Sequence, residues 1–219
     1  MLRMNADLLR LYLVTDQAAL RGRSLSDVVL AAVQGGVSCV QLREKNLGSR
    51  DFLAQALMLK KLLASYHVPL VINDRIDIAL ACRAEGVHLG QSDPPVLQAR
   101  NLLPPEVFIG WSVESMAQVL QSAILPVDYL GVSPIFATPT KTDTKAAWGL
   151  EGVAAVRAST GLPLVGIGGI HAGNATCILR AGADGLAVVS AVCSADDPRA
   201  AAAILKTLCD DEMKARRRP

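Results

Sequence analysis

Leu164-Val165-Gly166-Ile167-Gly168-Gly169, with Leu186-Ala187-Val188-Val189-Ser190 after it, is the stretch on which the fold turns. Each half is a short apolar run that breaks off into small or hydroxyl residues, as a buried parallel strand does where it hands over to a loop. Glycines at 166, 168 and 169 let backbone amides approach a ligand closely. Loops after the seventh and eighth strands are the usual phosphate site of a (β/α)8 barrel. Six more runs of the same kind lie upstream, at 11–15, 37–44, 69–73, 86–89, 107–111 and 129–133. The eight starts fall about 25 residues apart, enough for a strand, a helix and two short loops.

Eight such units predict an α/β protein with one domain, a single-domain (β/α)8 TIM barrel over 1–219. The barrel proper is expected at about 8–209, with 210–219 as a flexible basic tail that ends in Arg216-Arg217-Arg218. An open doubly wound sheet is the alternative. It is disfavoured because Thr15-Asp16-Gln17 stands where a GxGxxG turn would follow the first strand. Ser24 or Ser26, Ser49, Ser115 and Asn174 are placed to cap helices. Gly35-Gly36, Gly86, Gly161 and Gly182 are placed to close them.

Composition narrows the function classes. The chain has 219 residues, with 22 Lys and Arg against 20 Asp and Glu, a formal net charge of +2. That offers no electrostatic case for nucleic acid. Hydrophobic residues make up 51% and charged residues 19%, too apolar for a disordered chain and too often interrupted by charge for a membrane span. The N-terminus shows no secretory h-region, so a cytoplasmic location is expected. Five cysteines form no CxxC and no ligand spacing, which argues against both a disulfide framework and a zinc site. The sequence leaves open whether the chain forms a homo-oligomer.

In a barrel the chemistry sits at the C-terminal ends of the strands, and polar residues gather there. The second run ends Gln41-Leu42-Arg43-Glu44-Lys45. A two-residue period puts Gln41, Arg43 and Lys45 on one face, aimed into the mouth, with Leu42 and Glu44 on the other. Inward cations are costly unless something anionic binds between them. The third run ends Asn73-Asp74 and the fourth is followed by Asp93, two carboxylates without a soft ligand nearby. All-oxygen donors point to Mg²⁺ shared with substrate phosphate. The competing reading is that Asp74 and Asp93 cap the third and fourth helices. Gly169 and Ser190 mark a second anion locus after strands seven and eight.

A long segment at 136–149 carries hydroxyls, lysines and glycine, and reads as a lid over an anionic substrate or as a surface loop. Ser112 closes the fifth run, where it can donate into the mouth or start a helix. His67, His88 and His171 are scattered, and His88 reads as a satisfied core residue. No GxSxG, P-loop or HExxH is present, so the chemistry should rest on charge and metal.

Six motifs in order, Gln41-Leu42-Arg43-Glu44-Lys45, Asn73-Asp74, Gly86-Val87-His88-Leu89-Gly90-Gln91 with Asp93, Thr138-Pro139-Thr140-Lys141, Gly166-Ile167-Gly168-Gly169-Ile170 and Val189-Ser190-Ala191, make the chain resemble the thiamine-phosphate synthase family. The resemblance covers residue 11 to about residue 205. It implies a TIM-barrel transferase that joins 4-amino-2-methyl-5-(diphosphooxymethyl)pyrimidine to a thiazole phosphate, giving thiamine phosphate and pyrophosphate. By the same resemblance Gln41, Leu42, Arg43, Glu44, Lys45, Asn73, Ser112 and Lys141 would hold the pyrimidine diphosphate. Asp74 and Asp93 would bind Mg²⁺. Thr138, Pro139, Thr140, Gly169, Val189 and Ser190 would hold the thiazole phosphate, and Arg43, Lys45, Ser112 and Lys141 form the implied catalytic set. The implied route is ionisation of the pyrimidine diphosphate, then attack by the thiazole nitrogen. A thiazole tautomerase on the same barrel and a non-catalytic phosphate sensor are the competing readings. Trp111, before Ser112, is larger than the family pattern leads one to expect, and should face the helices.

Overall fold

The computed structural model describes residues 5–137 and 147–216. Eight parallel strands close into a barrel in chain order: β1 (Leu11–Val14), β2 (Cys39–Leu42), β3 (Leu70–Asn73), β4 (Gly86–Leu89), β5 (Phe108–Val113), β6 (Tyr129–Val132), β7 (Leu164–Ile167) and β8 (Gly185–Val188). β8 pairs back onto β1 from Leu11↔Leu186 to Leu13↔Val188, so no sheet edge is left open. Seven helices each follow the strand of the same number: α1 (Leu25–Gln34), α2 (Ser49–Ala64), α3 (Ile76–Cys82), α4 (Val96–Leu102), α5 (Met116–Gln121), α6 (Gly149–Ser159) and α7 (Ala175–Arg180). A single turn, α8 (Ser190–Cys193), and then α9 (Pro198–Arg216) complete the last unit. The expected (β/α)8 barrel is what the chain forms.

Alternation along the strands divides the core into two layers. Leu11, Leu13, Val40, Leu42, Leu70, Ile72, Val87 and Leu89 face outward and pack on the helices. Tyr12, Val14, Cys39, Val71, Phe108, Tyr129, Val165 and Ala187 face inward. Inward glycines make room for the large rings. A Cβ on Gly86 would meet the Phe108 ring at 2.3 Å, and one on Gly110 would meet Tyr129 Cζ at 2.0 Å. Small and large residues thus interdigitate across neighbouring strands, as a narrow barrel requires.

A device repeated four times holds the N-terminal end. The residue just before each even-numbered strand accepts from a backbone N–H near the start of the strand before it. Ser38 Oγ accepts from Leu11 N at 3.0 Å, Glu85 from Leu70 N at 2.9 Å, Asp128 from Ile109 N at 2.7 Å and Asp184 from Leu164 N at 2.8 Å. Glu85 and Asp184 are also paired with Lys60 and Arg157. Charged partners let these carboxylates sit partly buried beneath the barrel.

The caps depart from expectation in places. Ser24 caps α1, accepting from Asp27 N at 3.5 Å, but the cap of α2 is Gly48 and Ser49 lies inside the helix. Ser115 and Asn174 occupy cap positions without a side-chain cap bond. Arg83 in left-handed backbone, rather than Gly86, closes α3, and Gly86 belongs to β4. The stretch read as a flexible tail is helical as far as Arg216, because Cys209 and Met213 continue the buried stripe of α9. Among the described residues no helix is long and apolar enough to cross a membrane.

Candidate active site

The C-terminal ends of the strands enclose a cavity of about 580 Å³. Gln41, Arg43, Lys45, Asn73, Asp74, Asp93, Ser112, Gly169, Val189 and Ser190 all line it. The two anion loci read from the sequence therefore share one chamber.

One end is charged. Thr15 extends the pairing of β1 with β2, accepting from Arg43 N at 3.0 Å, and this carries Arg43 to the rim, where it lies 3.1 Å from Asp16. Lys45 Nζ lies 2.6 Å from Asp74 Oδ2. Asp74 takes a left-handed φ of 64°, a conformation that Asp adopts more readily than most non-glycine residues. Its N–H bonds to the carbonyl of His88 at 2.9 Å. Asp93 accepts from Gly90 N at 2.6 Å and lies beside the Asp74 carboxylate. Burial, and next the Asp74 carboxylate, push the Asp93 carboxyl above its usual range. Neither aspartate caps a helix, since the cap residues of α3 and α4 are Arg75 and Pro95.

The opposite wall is built of backbone. Gly168 and Gly169 have φ of 101° and 67°. A Cβ on Gly169 would lie 2.8 Å from Phe136 Cβ. Asn174 ties the loop by donating to Gly169 O and accepting from His171 N, both at 2.9 Å. Ser190 opens α8 beside it.

The floor is a line of hydrogen-bonded side chains drawn from five strands. Gln41 Nε2 donates to Tyr12 OH at 2.8 Å, and Tyr12 OH lies 2.9 Å from Tyr129 OH. Tyr129 OH is 2.9 Å from His88 Nδ1, and His88 Nε2 is 2.8 Å from Ser112 Oγ. Gln91 Nε2 donates to Ser112 O at 2.6 Å.

Two expected residues lie elsewhere. Leu42 is buried in the outer layer among the helices, and Glu44 also does not line the cavity. The strand period places both on the outward face. Thr138, Pro139, Thr140 and Lys141, with most of the segment read as a lid, lie outside the described residues. Trp111 packs against the helices, leaving Ser112 free to face inward. Sequence reading missed Tyr12 and Tyr129 as lining residues, and took His88 for a core residue only. The inward glycines opposite their rings were the available signal.

Two aspartates, both oxygen donors and one with its charge disfavoured by its neighbour, suit a hard divalent cation. Among the described residues no cluster of three or more His, Cys, Asp and Glu side chains is placed to hold a metal. The remaining ligands would have to be phosphate or water oxygens.

Comparison with known proteins gives one answer. The family model described as thiamine monophosphate synthase matches residues 11–192. A thiamine-phosphate synthase of Albidiferax ferrireducens is 72% identical over 202 residues, covering 92% of this chain and 92% of that protein. Its counterpart in Vibrio campbellii is 49% identical over 196 residues, covering 90% and 96%. Among solved structures, a thiamine phosphate pyrophosphorylase from Pyrococcus furiosus superposes with a TM-score of 0.88 at 35% identity, covering 95% of this chain and 98% of that one.

Proposed function

This chain belongs to the thiamine monophosphate synthase family, whose members join a pyrimidine and a thiazole phosphate to give thiamine phosphate, and we propose that it does so by ionising the pyrimidine diphosphate at the Asp74 and Asp93 end of the cavity. The observation that carries this reading is the single chamber with a cation-and-carboxylate cluster at one end and the Gly168-Gly169 and Ser190 loops at the other.

In this account Arg43 and Lys45 lie against the diphosphate, joined by Lys141 from the segment outside the described residues. Asp74 and Asp93 would hold Mg²⁺, which would supply positive charge to neutralise a departing pyrophosphate. The methylene C–O bond breaks and its electron pair departs with the pyrophosphate oxygen. The thiazole nitrogen lone pair then forms the C–N bond. No proton is lost from either reacting atom, so this chemistry needs no general base. Gly169, Val189 and Ser190, with Thr138, Pro139 and Thr140, hold the thiazole phosphate through backbone amides and hydroxyls. Gln41, Asn73 and Ser112 hold the pyrimidine ring. Both substrates are charged and cross membranes poorly, which supports a cytoplasmic location.

A thiazole tautomerase would have no use for the Lys45, Asp74 and Asp93 cluster, and a phosphate sensor would need only the glycine wall. Arg43→Ala tests the assignment: turnover should fall by at least about 100-fold, the scale of losing a charge aimed at the transition state, with thermal stability little changed. Wild-type turnover in that variant would remove Arg43 from the mechanism.

A further inference from the structure

The line of side chains beneath the cavity has a direction. The Gln41 amide nitrogen can only donate, and it donates to Tyr12 OH. Burial pushes both phenols well above their usual range, so each keeps its one proton and has one to give. With Tyr12 accepting from Gln41, the consistent direction has Tyr12 donate to Tyr129, the neighbouring Cys39 thiol being the other acceptor within its reach. The same direction has Tyr129 donate to His88 Nδ1 and leaves the imidazole proton on Nε2, towards Ser112 Oγ. Two groups at the ends of the line are left for the cavity, the Gln41 carbonyl oxygen and the Ser112 hydroxyl proton.

We infer that Tyr12, Tyr129 and His88 are positioning residues that fix Gln41 as a hydrogen-bond acceptor and Ser112 as a donor, and thereby select an aminopyrimidine over its oxo analogue. The inference rests on the reading of this cavity as a pyrimidine site. A 4-aminopyrimidine offers an exocyclic amino group that donates and ring nitrogens that accept, the complement of the two groups presented. A 4-oxo ring puts an acceptor where the amino group was and adds a ring N–H, leaving a buried polar group facing its like. The rings that carry the line have little room to move. The Tyr129 ring lies over Gly110, where even a Cβ would approach it to 2.0 Å, and His88 Cε1 would stand 3.0 Å from a Cβ on Gly131.

The test compares kcat/KM for the amino and oxo pyrimidine diphosphates in wild type and in Tyr129→Phe, which keeps the ring and removes the hydroxyl. The amino preference should fall at least about tenfold in the variant, while the KM for thiazole phosphate stays within about twofold. An unchanged preference, even with slower turnover, would reduce the line to packing and overturn the inference. ¹⁵N NMR of histidine-labelled wild-type protein gives a second decision that needs neither turnover nor a variant. The His88 signal should show a protonated Nε2 and an unprotonated Nδ1, and a proton on Nδ1 would overturn the direction assigned. Failure of wild type to form thiamine phosphate would count against the proposed function, with the His88 proton still deciding the relay.

Discussion

Lys45 Nζ lies 2.6 Å from Asp74 Oδ2, so the rim cation neutralises one of the two carboxylates proposed to hold the metal. Lys45 is half exposed and Asp74 largely buried. In the proposed mechanism Lys45 would swing to the diphosphate and leave Asp74 to the metal. Binding of metal and of diphosphate should be mutually dependent for this reason.

Asp93→Asn separates function from stability at this cluster. The folded protein holds the Asp93 proton more tightly than an unfolded chain would. Its contribution to stability is therefore fully present below the ordinary carboxylate range and is lost as pH rises through the raised value. At neutral pH the asparagine variant, with the repulsion removed, should melt at or above the wild-type temperature. Its turnover should fall by at least about 100-fold, and Mg²⁺ with pyrophosphate should no longer raise its melting temperature. Calorimetry with and without the metal, beside a turnover assay, checks both halves.

Gly169→Ala probes the other wall. The backbone there has φ of 67° and an added methyl would press on Phe136 and on the carbonyl of Ala137. The KM for thiazole phosphate should rise by about tenfold or more, on the scale of the strain of a non-glycine residue in that region. Binding of the pyrimidine diphosphate, measured by titration calorimetry, should stay near the wild-type value.

Asp184→Ala tests the fourfold device under the barrel. It leaves Leu164 N without its side-chain acceptor and Arg157 without its carboxylate partner. The expected loss is about 1–3 kcal/mol of stability, read as a drop of several degrees in melting temperature for a domain of this size. Substrate affinities should be unchanged, because the site is at the opposite end of the strands.

Thiol chemistry checks the packing. Burial pushes Cys193 and Cys209 up to about 12 and Cys39 higher still, and it raises Cys82 as well. Cys177 is the exposed cysteine of the five. A disulfide reagent at pH 8 should titrate one thiol in the native protein and five in denaturant.

The sequence carried the architecture because each strand run ends where its chemistry begins. The period through Gln41, Arg43 and Lys45 placed three cavity residues correctly, and the same period placed Leu42 and Glu44 outside it. The aspartates were legible as a pair, but the raised proton affinity of Asp93 was not, since it follows from burial and the nearness of Asp74. Tyr12, Tyr129 and His88 were less legible because β1 and β6 are not neighbours in the sheet, and only barrel closure brings their side chains together across the interior. The tail from 210 was misread because its charges mask a buried stripe that Cys209 and Met213 continue.

The most direct test of the account is to incubate the wild-type chain with both phosphorylated substrates across a Mg²⁺ titration and follow both products. Thiamine phosphate and pyrophosphate should appear in equal amounts, only with the metal, and should not appear with Asp93→Asn. Product formed at the same rate after complete chelation of divalent cations, or conversion of the thiazole phosphate alone to an isomer with no pyrophosphate released, would contradict it.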